Sequence, residues 1–175
     1  MFVTAETSEK QTDHLMELYP FILKFIAATN DYELLSHASV CLKAYLAHCS
    51  QQILQKNYLD DTLSIIHRML EPETQDVACT YLGNIIILAF ANLLNNSINQ
   101  DILKKVINKL YHCQVPSTIQ SLVLVYARLI NLDEKDTLEF LCSFSIENVP
   151  ALKILLTKWL SYQLLFTGKN TKVLT

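Results

Sequence analysis

The run YLGNIIILAFANLL, from Tyr81 to Leu94, is the most apolar stretch of the chain, and its reading decides the fold. Asn84 and Asn92 interrupt it, and it falls short of the ~20 apolar residues that a membrane-spanning helix requires. Extended back to Thr74, it predicts one helix that is apolar on nearly every side and so has to be buried between neighbours. Gly83 lies within it, where a second helix can approach closely. A similar run, TIQSLVLVYARLI (Thr118–Ile130), follows Pro116, a favoured first-turn residue, and ends at Asn131. Between the two, Asp101–His112 is amphipathic, with Ile102, Leu103, Val106, Ile107, Leu110 and Tyr111 set against Lys104, Lys105, Asn108 and Lys109.

Outward from this centre the same alternation continues. Asp31–Cys49 places Leu34, Leu35, Ala38, Cys41, Leu42, Tyr45 and Leu46 at helical spacing behind a cap at Asn30 or Asp31. Leu59–Leu70 carries Asp60 and Asp61 at its start, where their charge suits a helix N-terminus, and Pro72 breaks it. Asp133–Phe144 is a short helix, and Pro150 opens another through Leu164 that Gly168 stops. At the start, Asp13–Ala28 is helical but carries Pro20, so it is kinked or begins there. Four hairpins result, at 13–50, 58–95, 99–131 and 133–167, with 168–175 as a tail or the start of a further repeat. Their longer helices begin near Asp31, Thr74, Pro116 and Pro150, at spacings of about 43, 42 and 34 residues, against ~40–47 for HEAT and armadillo repeats. The fold expected is all-α: a right-handed α-solenoid of about four HEAT-type hairpins in a single segment. A compact bundle of eight helices satisfies the same periodicity.

Composition agrees with a folded helical chain. Of 175 residues, 51% are hydrophobic and 18% charged, and only 2 glycines and 4 prolines occur, which leaves little material for β-hairpin turns. A net charge of −3 offers no basic excess for phosphates, so no direct nucleic-acid binding is expected, and no membrane insertion. The N-terminus lacks the basic and apolar regions of a secretory signal. Five scattered cysteines without a CxxC read as buried thiols in a reducing compartment. The sequon at Asn95, Asn96 and Ser97 reads as chance in such a compartment.

No catalytic constellation emerges, and no enzyme is expected. His14, His37, His48, His67 and His112 include no i, i+4 pair and no HExxH, so no metal site is expected. The neighbours His48–Cys49 and His112–Cys113 point about 100° apart on a helix and share no proton. Gly83 and Gly168 alone build no phosphate loop, so no cofactor is expected. Acids gather at the turns: Asp60 and Asp61; Glu71, Glu73 and Asp76; Asp133, Glu134, Asp136 and Glu139. Such groups can steer a basic protein partner, and they also suit helix N-termini whatever the function. Asp60, Asp61, Asp133, Glu134, Asp136 and Glu139 are the candidate contacts. Lys104, Lys105 and Lys109 read as a solvated helix face.

Several segments carry a resemblance to a known family. CLKAYLAHCSQQIL (Cys41–Leu54), LEPETQDVACTYLGNII, the Thr118–Ile130 helix, LEFLCSF (Leu138–Phe144) and PALKILLTKWLSYQLLFTGKNTKV (Pro150–Val173) resemble the middle-to-C-terminal HEAT repeats of importin-β-type karyopherins of the importin-9 kind. The most specific part is the last, where Pro150, Trp159, Gln163, Leu165, Phe166 and Gly168 keep the family's order. The resemblance runs from about Leu35 to the end and implies a nuclear import receptor shuttling between cytoplasm and nucleus. Such receptors bind protein cargo such as core histones or ribosomal proteins, contact Phe-Gly nucleoporins and release cargo to Ran-GTP. Against the family pattern the chain begins inside the repeat array, beyond the repeats that engage Ran-GTP, and stops before an acidic insertion. It is therefore expected to be a fragment or short form, one arc of the receptor scaffold. A HEAT-type scaffold of another assembly is the alternative. A mean hydropathy of +0.22 suits internal repeats whose end faces are covered by neighbours.

Overall fold

The computed structural model describes residues 3–94 and 99–166, with side chains from His14 onward. The sequon at Asn95, the stop at Gly168 and the 168–175 tail lie outside the described residues. Within them the chain forms α1 (Val3–Ala28), α2 (Tyr32–His48), α3 (Ser50–Gln55), α4 (Leu59–Leu70), α5 (Leu82–Asn92), α6 (Gln100–His112), α7 (Pro116–Leu132), α8 (Glu134–Cys142) and α9 (Ala151–Tyr162). Local chemistry sets many of these boundaries. The Asp31 carboxylate accepts the N–H groups of Glu33 and Leu34 at 2.9 and 3.1 Å and caps α2. Asn99 caps α6 in the same way, and Pro116 opens α7.

The helices stack in two rows. α1, α4 and α6 are successive neighbours in one row, α2, α5 and α7 in the other, and each first helix also touches its own partner. No extensive contact joins the first hairpin to the last among the described residues. The core is thus continuous along an open stack, an all-α solenoid, and does not gather about a single centre as a bundle does. The stack departs from simple alternation at its far end, where α9 lies against both α6 and α7 while α8 lies against α7 and α9.

α5 and α7 approach closely at Gly83. A Cβ on Gly83 would stand 1.7 Å from the Ser121 carbonyl oxygen, and the Gly83 N–H donates to Ser121 Oγ at 2.9 Å. Only glycine fits, because any side chain would occupy the volume of the neighbouring backbone. Further seams are pinned by side chains bonded to backbone. Asn92 Nδ2 donates to the Leu46 carbonyl at 2.8 Å across α5 and α2, and Tyr126 Oη to the Leu103 carbonyl at 2.7 Å across α7 and α6. Arg68 of α4 donates to the carbonyls of Ile26 and Thr29, which closes the end of α1.

Three expectations are corrected. The helix predicted over Thr74–Leu94 is divided: Asp76–Cys79 is a 3₁₀ turn, and α5 starts only at Leu82. The carbonyls that would have continued the helix are taken by side chains, Thr74 by Lys109 Nζ and Asp76 by Thr118 Oγ1 at 2.6 Å. Secondly, of the two readings of the first helix, kinked at Pro20 or starting there, the start is excluded: α1 runs through Pro20, with Met16, Tyr19, Leu23 and Ile26 buried on either side. Thirdly, the scarcity of glycine does not prevent a tight β-hairpin between α8 and α9. Ser145–Ile146 pairs with Val149–Pro150 across Glu147 and Asn148, at φ 49° and 67°. Asparagine tolerates this left-handed region well; a glutamate there is unusual.

Candidate functional site

Short loops make the hairpins antiparallel, so one edge of the stack carries the C-termini of α2, α5 and α7 and the N-termini of α4, α6 and α8. Both groups of candidate acids fall on this edge. Asp60 and Asp61 are exposed in the first turn of α4. Asp133 caps α8, its carboxylate accepting the Asp136 N–H at 3.0 Å, while Glu134 and Asp136 are exposed in the first turn. Glu139 stands 3.9 Å from Lys135 with both side chains in solvent, a pair of little energetic weight. Among the described residues no hydrogen bond or ion pair joins the α4 acids to the α8 acids. Each group also sits where a helix N-terminus favours negative charge.

The third acidic group has a different role, and with it the lysine row is corrected. Lys109 is 4% exposed; its ammonium donates to the Thr74 carbonyl, to the Glu71 carbonyl at 3.1 Å, and stands 3.2 Å from the Asp76 carboxylate. Lys105 pairs with Glu71 at 2.5 Å. These two lysines clamp the α4–α5 turn onto α6, and of the three only Lys104 is a fully exposed residue. His67, in the last turn of α4 and so at the opposite end of that helix from Asp60 and Asp61, has its pKa held below its ordinary value by burial and by the nearby Lys105 charge.

The cysteines and histidines assemble no reactive centre among the described residues, and no group of three His, Cys, Asp or Glu side chains there is placed to hold a metal. Cys49, Cys79 and Cys113 are buried, whereas Cys41 and Cys142 are exposed, which corrects the reading of all five as buried thiols. Burial pushes the Cys79 thiol up to about 11 and Cys113 to about 12, so neither is a nucleophile at neutral pH. His48 and His112 are exposed while their neighbours Cys49 and Cys113 point inward. No helix of the described residues is long and apolar enough to cross a membrane.

Two kinds of apolar surface stand out instead. The first lies at the ends of the stack. On α1, Leu15, Leu18, Phe21 and Phe25 are 43–68% exposed; at the other end Leu156, Leu160, Leu164 and Leu165 are 45–94% exposed. The second is a groove of about 300 Å³ between α5 and α7, lined by Ile87, Phe90, Ala91, Val125, Arg128, Leu129, Leu132 and Asp133. Because no residue of α4 or α6 lines it, it opens away from their row. Periodicity read both parent runs as apolar almost all round and so hid the groove. The available signals were the small Ala91 between larger residues and Arg128, the one charge in TIQSLVLVYARLI.

Comparison with known proteins places this architecture. A family model described as importin-11-like, TPR repeats, matches residues 3–172. Importin subunit beta-5 of Saccharomyces cerevisiae is 27% identical over 167 residues, covering 91% of this chain and 16% of the relative. Importin subunit beta-5 of Schizosaccharomyces pombe is 29% identical over 155 residues, covering 83% of the chain and 16% of the relative. Importin-9 of Drosophila melanogaster is 25% identical over 168 residues, covering 90% and 16%. The chain thus spans about one sixth of the length of these relatives. The family's TPR repeats and the HEAT repeats expected from sequence are both stacked helical hairpins. With two helical rows in register and nearly the whole chain matched, the chain belongs to the importin-11-like TPR-repeat family, within the importin-β type of karyopherin.

Proposed function

We propose that this chain is an arc of a nuclear import receptor, a non-catalytic scaffold of stacked repeats that serves protein–protein contact. The observation that carries the reading is the open stack of a family member with apolar side chains exposed, among the described residues, at both ends, at α1 and at α9. In a longer solenoid such faces are covered by neighbouring repeats. The receptor shuttles between cytoplasm and nucleus, takes basic protein cargo such as core histones or ribosomal proteins, contacts Phe-Gly nucleoporins and gives up cargo to Ran-GTP. Asp60, Asp61, Asp133, Glu134, Asp136 and Glu139, exposed on one edge, are the side chains offered to that cargo. They act as a steering field and add little direct affinity.

The test uses the receptor with its flanking repeats, loaded with a labelled core histone dimer. Capture of the histone, weakening several-fold when Asp60, Asp61, Glu134 and Glu139 are replaced by lysine, is the expected result, together with release on addition of Ran-GTP. Histone that stays bound in the presence of Ran-GTP would assign the chain to a helical scaffold of some other assembly. Capture indifferent to the lysine replacements would remove the acidic edge from the cargo path.

A further inference from the structure

We propose that the outer face of α1 docks on the outer face of α9 of a second copy of this chain, with Lys24 closing the carbonyl end of that α9. One eight-residue pattern recurs in four helices: LYPFILKF (Leu18–Phe25) in α1, TLSIIHRM (Thr62–Met69) in α4, LKKVINKL (Leu103–Leu110) in α6 and LKILLTKW (Leu152–Trp159) in α9. Its first, fourth, fifth and eighth residues are apolar, Thr62 excepted, and its seventh is a cation. In α4, α6 and α9 that cation reaches back to the C-terminal end of the preceding helix that carries the pattern. Arg68 donates to the Ile26 and Thr29 carbonyls at the end of α1, Lys109 to those of Glu71 and Thr74 beyond α4, and Lys158 to that of Cys113 beyond α6. A cation in that place also suits the negative end of the helix dipole. The other residues of the pattern make the same joint: the Thr62 hydroxyl meets Tyr19 Oη of α1 at 2.7 Å, and Ile65, Ile66 and Met69 are buried beside it.

In α1 the pattern meets no helix among the described residues. Leu18, Phe21 and Phe25, the counterparts of Thr62, Ile65 and Met69, are exposed, and Lys24, the counterpart of Arg68, is exposed without a hydrogen bond or ion pair. At the other end α9 turns Lys158 toward α6 and leaves Lys153, Leu160 and Leu164 exposed on its far side. The chain thus carries both halves of one joint. The internal copies also set its register. Arg68 lies level with Ile26, two residues before the end of α1, so Lys24 comes level with Leu160, two residues before the end of α9. Seven residues back along each parallel helix, Glu17 comes level with Lys153; in the single chain Glu17 has only the exposed His14 beside it, at 3.6 Å. That opposite charge selects the head-to-tail copy, whereas an α9–α9 pair would set lysine against lysine. The inference rests on the stacked-repeat half of the proposed function and on neither Ran nor cargo.

Sedimentation velocity of the full chain over a concentration series tests it. Lys24→Met is expected to weaken self-association several-fold while the urea midpoint, set by the fold alone, stays with the parent. Glu17→Lys should weaken it as well, and Lys153→Glu in the same chain should restore it, which a merely structural role of either residue would not do. A chain with Phe21→Gln and Lys24→Met keeps only the α9 half of the joint, and a chain with Leu160→Gln only the α1 half. Each alone should stay monomeric, and their mixture should form a one-to-one dimer that grows no further. A parent chain that is monomeric throughout the series, or a mixture of the two half-joint chains that does not pair, overturns the second copy as occupant. Growth of the parent that halts at a dimer overturns the head-to-tail arrangement in favour of like faces paired. Association unmoved by Lys24→Met overturns the cation's part in it. Ran-dependent release of histone is a separate readout, so loss of the transport reading leaves this result intact, and the reverse.

Discussion

Helices α5 and α1 are both rich in large apolar residues, yet the fold treats them oppositely. In α5, Leu82, Ile85, Ile86, Ala89 and Phe90 are buried because α2 stands on one side and α7 on the other. In α1 the buried set is Met16, Tyr19, Leu23 and Ile26, while Leu15, Leu18, Phe21 and Phe25 face outward with no helix beyond them among the described residues. The difference is one of position in the stack. A middle helix has neighbours before and behind, and an end helix has one, so equal hydrophobicity becomes core in one place and surface in the other. Stability therefore concentrates at the α5–α7 seam, and association at the ends.

The largest effect is expected at that seam. Gly83→Val would set a side chain into the space of the Ser121 carbonyl, 1.7 Å from its Cβ position, and would force α5 and α7 apart. The two nearest atoms, the carbonyl oxygen and carbon of Ser121, are backbone, so the obstruction cannot swing aside as a side-chain tip could. A loss of about 3 kcal/mol or more is expected, at the upper end of overpacking substitutions. Urea unfolding of the variant beside the parent chain measures it. An unchanged midpoint would mean that the seam is looser than the backbone geometry requires.

The seam also shows how far sequence alone reaches. Gly83 as a point of close approach, Asp31 as a cap, Pro116 as a first-turn residue and the two-faced burial of α5 and α7 were all legible, because each depends on a few neighbouring residues. The break at Asp76–Cys79 was not. It exists because Lys109 and Thr118, more than thirty positions away, capture the carbonyls of Thr74 and Asp76. The α5–α7 groove was hidden for the same reason: its width depends on how Ala91 and Arg128 align across two helices. Of the candidate site, the acids were correctly placed at turns. Their division into a clamped group and two exposed groups follows only from which lysines α6 turns toward α4.

That clamp gives the intermediate effect and divides α6 into two behaviours. Lys109→Met keeps the aliphatic bulk of a buried side chain but removes the donor from two carbonyls and the charge facing Asp76, which is itself 27% exposed. A destabilisation of about 2–3 kcal/mol is expected, set by the acceptors left without partners. Lys104→Met, five positions earlier on the exposed side, should stay within about 0.5 kcal/mol. Equal losses at the two positions would mean that the α4–α5 turn is not held by Lys109.

The smallest effect on stability is expected at the α1 end, and there it is the association state that should move. Leu18→Gln with Phe21→Gln replaces two side chains that are 55% and 68% exposed. Each substitution should change unfolding free energy by no more than about 0.5 kcal/mol, since little surface is withdrawn from water there in the folded chain. The parent chain, with apolar side chains of both end faces exposed among the described residues, is expected to self-associate as concentration rises, because patches of this kind seek cover. One end face joined to the other makes a head-to-tail contact, which need not close on itself, so the association should be open-ended. Sedimentation velocity over a concentration series should show the double variant shifted toward monomer while its urea midpoint stays with the parent. A loss of stability comparable to that of Gly83→Val would place these residues in a core and erase the distinction between the middle of the stack and its end.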